Sequence, residues 1–296
     1  MLAVVFLGAV ACSSGSPSKQ PGTGGQSNHH NTNGGTSKLK RVKGNGGIKN
    51  VFAKTSSGDK VSLYAAAPGH EVMEQILNTS TKSWSAPISV FKDDTRFCHR
   101  IKLKSKGPVL AATVVCSISA KDVNGAQSSY VLASTDGKTW KRADLPGASG
   151  KPSVSPSGRY VAWTSPLSFL LWSPTGGAFT TVKYTQSATT PAVGAMQDDG
   201  TLLIIKATSE KHGFCVISFQ QASAQSPTPR AIDSTDPQPD HPHCMITSAK
   251  TQPTGVIANL TQTMLTTVNG KKSVRTTTFA YSLRKLPRNG NWYIKL

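Results

Sequence analysis

Carboxylates are what this chain has least of. Glu71, Glu74 and Glu210 are its three glutamates, and 14 Asp and Glu stand against 33 Lys and Arg, for a net charge of +19. A glycosidase needs two carboxylates about 5–9.5 Å apart, and no pattern sets any of these glutamates beside an arginine cluster or a tyrosine. The G-x-S-x-G elbow, the H-E-x-x-H helix and the glycine-rich phosphate loop are also missing. The sequence therefore offers no catalytic residue to assign and no cofactor site. Beyond Ala11 no apolar run approaches the ~20 residues that span a bilayer as a helix. Helix patterns are scarce: only Ala67 to Leu77 has a helix-like stretch, and its end belongs to a strand repeat. Aromatic residues make up 7% of the chain and do not interleave with the cations. That removes the stacking platform on which nucleic-acid binding depends.

What is there is a repeated hairpin. Tyr130 to Ala143, YVLASTDGKTWKRA, reads as strand, turn and strand. Ser134, Asp136 and Gly137 supply turn chemistry: Asp bonds backbone N–H groups ahead of it, and Gly accepts a positive φ. Trp140 opens the return strand as an apolar anchor. Phe169 to Val182, FLLWSPTGGAFTTV, aligns with it without a gap, and Gln75 to Trp84 and Phe279 to Leu296 are further copies. A glycine opens an apolar β run at Gly58, Gly107, Gly158, Gly200 and Gly255. Periods of roughly 40–50 residues with about four strands each mark propeller blades. One blade cannot bury both faces of its own sheet, so blades must stack. The expected fold is all-β: a β-propeller of about five, alternatively six, four-stranded blades.

The segment STDGKTW resembles the Asp-box (BNR) turn of sialidase-like propellers, shortened by one residue. Ser155 to Trp163, SPSGRYVAW, resembles the strand opening of TolB-type propeller repeats. In the first family the Asp-box is a structural turn on the outer part of a blade. The resemblance therefore implies that Asp136 caps a turn and takes no part in catalysis. It also implies an alternative function, a glycoside hydrolase with a degenerate site.

The first residues differ from the rest. Met1 to Ala11 is nearly all apolar and suits the core of a signal peptide. Small residues then lead into Cys12, which resembles a bacterial lipobox; the resemblance implies that Cys12 carries lipid and holds the chain on the extracytoplasmic face of the bacterial membrane. Ala9 stands where that pattern usually has Leu, and no Lys or Arg precedes the apolar run. Residues 13–47 are rich in Ser, Gly and Asn and basic, which predicts a disordered tether. His29 and His30 within it are read as incidental. The expected domains are thus 1–12, a signal segment and lipidated cysteine; 13–47, the tether; and 48–296, the propeller.

Four cysteines remain after Cys12, an even number suited to an exported chain with two disulfides. Cys98 and Cys116 lie symmetrically about Gly107, so in one antiparallel hairpin they face each other. Cys215 and Cys244 then pair across the proline-rich stretch from Ser226 to Pro242. The alternative is a metal site at Asp240, His241, His243 and Cys244, but no second ligand cluster supports it, and no metal is assigned.

The strongest charge pattern is Arg100, Lys102, Lys104 and Lys106, alternating with Ile101 and Leu103. Period two puts the four cations on one face of a strand. They are candidate anion-binding residues, although lysines also protect sheet edges. Lys271, Lys272, Arg275, Arg284, Lys285 and Arg288 form a second basic cluster. The expected function is a monomeric, membrane-anchored binding or scaffolding module without catalysis. Its expected partner is a protein or an anionic envelope polymer, and not nucleic acid.

Overall fold

The computed structural model describes residues 39–44, 49–121, 126–147, 149–184, 192–209, 215–234, 243–252, 255–268, 271–285 and 292–295. Cys12, His29, His30, Glu210, Asp240 and His241 lie outside them.

The described chain is all-β, in five antiparallel sheets taken in chain order. The first holds β1 (Val51–Lys54), β2 (Lys60–Ala66), β3 (Glu71–Asn78), β4 (Ser83–Trp84) and β5 (Ile88–Lys92), with β4 and β5 sharing the outer edge of β3. The second runs β6 (Phe97–Lys106), β7 (Val109–Ser117), β8 (Gln127–Ser134) and β9 (Lys141–Pro146). The third runs β10 (Ser153–Val154), β11 (Val161–Thr164), β12 (Ser168–Trp172) and β13 (Thr180–Lys183). The fourth runs β14 (Val193–Met196), β15 (Leu202–Ser209), β16 (Cys215–Ala222) and β17 (Arg230–Ser234). The fifth runs β18 (His243–Gln252), β19 (Gly255–Val268), β20 (Lys271–Lys285) and β21 (Trp292–Lys295).

The sheets pack face to face because their middle strands are apolar on both faces. Every residue of β7, VLAATVVCS, is buried. Its even positions, Leu110, Ala112 and Val114, meet Leu63 and Val72 of the first sheet. Its odd positions, Val109 and Ala111, meet Trp163 and Leu170 of the third. The same alternation continues: Phe169 and Leu171 pack on Leu202 and Ile204, and Leu203 and Ile205 pack on Val256 and Leu260. Each buried Val, Leu or Phe contributes about 1.5–3 kcal/mol relative to exposure. Trp163 is fully buried and donates its indole N–H across the interface to the Ala112 carbonyl at 3.0 Å. Successive sheets thus stack face to face in chain order.

The repeats fall on two fixed places in each sheet. Gly58, Gly107, Gly158 and Gly200 sit at positive φ in the turn between first and second strands. Two of these turns touch: a Cβ on Gly158 would lie 1.9 Å from the Lys106 carbonyl oxygen. The hairpin copies at Gln75, Tyr130, Phe169 and Phe279 are the third-to-fourth-strand turns of four sheets.

Both disulfides are present, Cys98–Cys116 and Cys215–Cys244. The symmetry that pairs the first is displaced by half a residue. Gly107 and Pro108 form a two-residue turn between the partners Lys106 and Val109, so an undisturbed register would set Cys116 opposite His99. A bulge at His99 shifts the register and brings Cys98 back opposite Cys116. The second disulfide does more than close a loop, because it joins β16 of the fourth sheet to β18 of the fifth.

Candidate anion-binding cleft

β6 is the first strand of its sheet and an edge strand. Ile101 and Leu103 point into the core shared with the first sheet. Arg100, Lys102, Lys104 and Lys106 take the alternate positions, Lys102 and Lys104 half-buried and Arg100 and Lys106 exposed. The first strands of neighbouring sheets lie beside one another: β6 touches β10, β10 touches β14, and β14 touches β18. Along this line opens a cleft of about 540 Å³, whose wall includes Lys104, Lys151, Ser153, Ser165, Gly194 and Ser248.

Two lysines therefore meet in one cleft, Lys104 from β6 and Lys151 from the link between β9 and β10. Burial pushes the Lys104 ammonium below the ordinary lysine range, and the neighbouring Lys151 and Lys106 push it further. Lys102 is lowered in the same way, by burial first and then by Arg100 and Lys151. The described ion pairs are elsewhere, Lys92 with Asp94 and Arg96 with Asp93. Among the described residues no carboxylate lines the cleft. Lys104 is half-buried and Lys151 exposed, so at Lys104 the attraction for an anion is screened less than on an open surface. Sequence reasoning missed Lys151. It stands alone after Gly150, with no periodic neighbour to signal its face, and only the packing of the third sheet against β6 brings it to Lys104.

Ser134, Asp136, Gly137 and Trp140 lie elsewhere, on the turn between β8 and β9. Asp136 Oδ1 accepts the Lys138 and Thr139 N–H groups at 2.8 Å each and the Ser134 hydroxyl at 2.9 Å. Burial alone would raise its pKa, but these bonds outweigh it and hold the carboxyl at about 2. Gly137 is at φ +71° and packs so closely that a Cβ would come within 2.9 Å of Val61.

Trp140 reaches a partner that no motif marks. Its indole N–H donates to Glu74 Oε2 at 2.6 Å, across the boundary between the first two sheets. Glu74 is fully buried and its Oε1 has no partner among the described residues. Burial raises its pKa from 4.5 to about 7, Asp136 raises it too, and the Trp140 bond and Lys138 oppose them. Glu74 is not part of the cleft wall. Its place is legible only in retrospect, as the acid of β3 that shares the inward-turned positions of Val72 and Ile76, while Glu71 takes the other face.

In the second basic cluster, Arg275 and Arg284 are exposed on β20. Among the described residues no group of three His, Cys, Asp or Glu is placed to hold a metal ion, and no helix is long and apolar enough to cross a membrane. The two disulfides point to an oxidising, extracytoplasmic compartment.

No family model matches the sequence, and no curated protein matches it. The structure is similar to several solved ones. A PL25 polysaccharide lyase, an ulvan lyase bound to a GlcA(1-4)Rha3S chain, aligns at TM-score 0.44 and 10% identity over 77% of this chain. The chain spans 63% of that lyase's length. The NanB sialidase of Streptococcus pneumoniae aligns at TM-score 0.37 and 10% identity, over 83% of this chain and 60% of its own. A GH43 β-1,3-galactosidase aligns at TM-score 0.36 and 10% identity, over 86% of this chain and 94% of its own.

Proposed function

We propose that this protein is an extracytoplasmic β-propeller with the five sheets as its blades. A lipid on Cys12 tethers it to the bacterial membrane, and it binds an anionic polymer of the envelope without turning it over. The observation that carries this reading is the convergence of Lys104 and Lys151 on one cleft, with no carboxylate in its described wall. A glycosidase would place two carboxylates there. The basic segment before the first sheet acts with the cleft. Juxtamembrane cations gain about 1 kcal/mol each near an anionic surface, and its end at Lys40 and Val42 is hydrogen-bonded to Gln75 of β3.

The test is sedimentation of the full-length protein with purified cell envelope across a salt series. The envelope is used with and without its anionic polymers. The reading expects binding that weakens as salt rises and disappears with the polymers. Absence of binding at every salt would turn the search to protein partners. Turnover of a sialoside or another glycoside would overturn the non-catalytic part.

A further inference from the structure

The chemistry of the cleft wall goes further than its sign. Its cations are lysines. An ammonium is a compact point charge with three rotatable donors that imposes no plane on its guest, whereas the planar guanidinium fork offers its two bonds in parallel. Arg100 stands exposed at the far end of β6 and is not part of the wall. Two hydroxyls add directed donors. Ser153 Oγ accepts the Met196 N–H at 3.1 Å, and Ser248 Oγ accepts the Asn259 side-chain amide at 3.0 Å. Neither serine donates to any described residue, so each keeps its O–H for a guest that accepts. No aromatic ring lines the wall among the described residues, so a sugar face has no platform on which to stack.

Resting on the polymer-binding reading above, we infer that the cleft of Lys104, Lys151, Ser153 and Ser248 is a site for a tetrahedral oxyanion. The guest is a phosphodiester or sulfate ester group carried on an extended polymer, in preference to the carboxylate of a polyuronate. A tetrahedral anion presents oxygens in several directions at once. Two ammoniums, one on β6 and one on the link between β9 and β10, and two separate hydroxyls can each take one, while a planar carboxylate leaves part of that set unused.

The experiment is calorimetric titration of the full-length protein with three polymers matched in length and charge density. They are a poly(glycerol phosphate), a sulfated dextran and a polygalacturonate. The inference expects at least one of the first two to bind about tenfold or more tighter than the polyuronate, a factor of one good hydrogen bond. The phosphate and sulfate arms then separate the two sources. The double variant Ser153→Ala, Ser248→Ala should lose most of that preference while keeping the charge-driven binding that remains. Equal binding of all three polymers would overturn this inference and leave the anionic-polymer reading standing. Binding of none would overturn both.

Discussion

At the residue scale, the close contacts make sharper statements than the repeats do. Gly58 and Gly158 occupy equivalent turns at similar positive φ, +89° and +77°. A Cβ at Gly58 meets nothing within 4 Å, while one at Gly158 meets the Lys106 carbonyl oxygen. Gly58→Ala should therefore cost about 1 kcal/mol, the penalty of the left-handed backbone alone. Gly158→Ala should cost about 3 kcal/mol, because backbone must move. Urea unfolding of the two variants side by side checks the difference. Glu74 makes a second statement. Its folded pKa, about 7, lies above its ordinary 4.5, so the folded protein holds this proton more tightly than the unfolded chain. The contribution to stability is complete below pH 4.5 and is lost as pH rises through about 7. The slope is at most about 1.4 kcal/mol per pH unit. Glu74→Gln keeps an acceptor for Trp140 and should flatten that slope. A wild-type unfolding midpoint that did not fall between about pH 5 and about pH 8 would show that the proton is not held there.

Hairpins are the scale at which the sequence is most readable. A turn cluster between two apolar runs needs no distant partner to specify it, and the copies at Gln75, Tyr130 and Phe169 each became a third-to-fourth-strand turn. The strand alternation of β6 was legible for the same reason. What local pattern does not show is where a register slips. The bulge at His99 decides that Cys98 faces Cys116, and no residue type in that stretch announces it. Nor does spacing show that Cys215 and Cys244 join different sheets. That bridge closes 29 residues and should be worth about 3–4 kcal/mol on loop entropy. Its removal by Cys215→Ala with Cys244→Ala should loosen the fifth sheet ahead of the others. Limited proteolysis should then cut first within β18–β21. Equal protection of all five sheets would show that the Leu203, Ile205, Val256 and Leu260 interface suffices alone.

For the whole molecule, the basic excess acquires a place. The net charge of +19 is a property of composition and says nothing of location. Stacking of the sheets brings one part of it, Lys102 and Lys104, near Lys151, and sets Lys104 in the wall of a cleft. Reversal of both charges by Lys102→Glu and Lys104→Glu should abolish the salt-sensitive share of envelope binding and leave folding intact, since neither side chain enters a core cluster. Unchanged binding would move the site to the exposed arginines of β20, Arg275 and Arg284.

The sequence by itself determined the class of the fold, its repeating hairpins and the face on which the β6 cations stand. These depend on period-two alternation and on turn chemistry, which act between residues close along the chain. The tertiary structure alone decided that Lys151 joins Lys104, that Trp140 meets Glu74, and that one disulfide links two sheets. Those contacts lie between segments distant along the chain, and which side chains meet there depends on how two apolar faces settle against each other, a relation that no local pattern encodes.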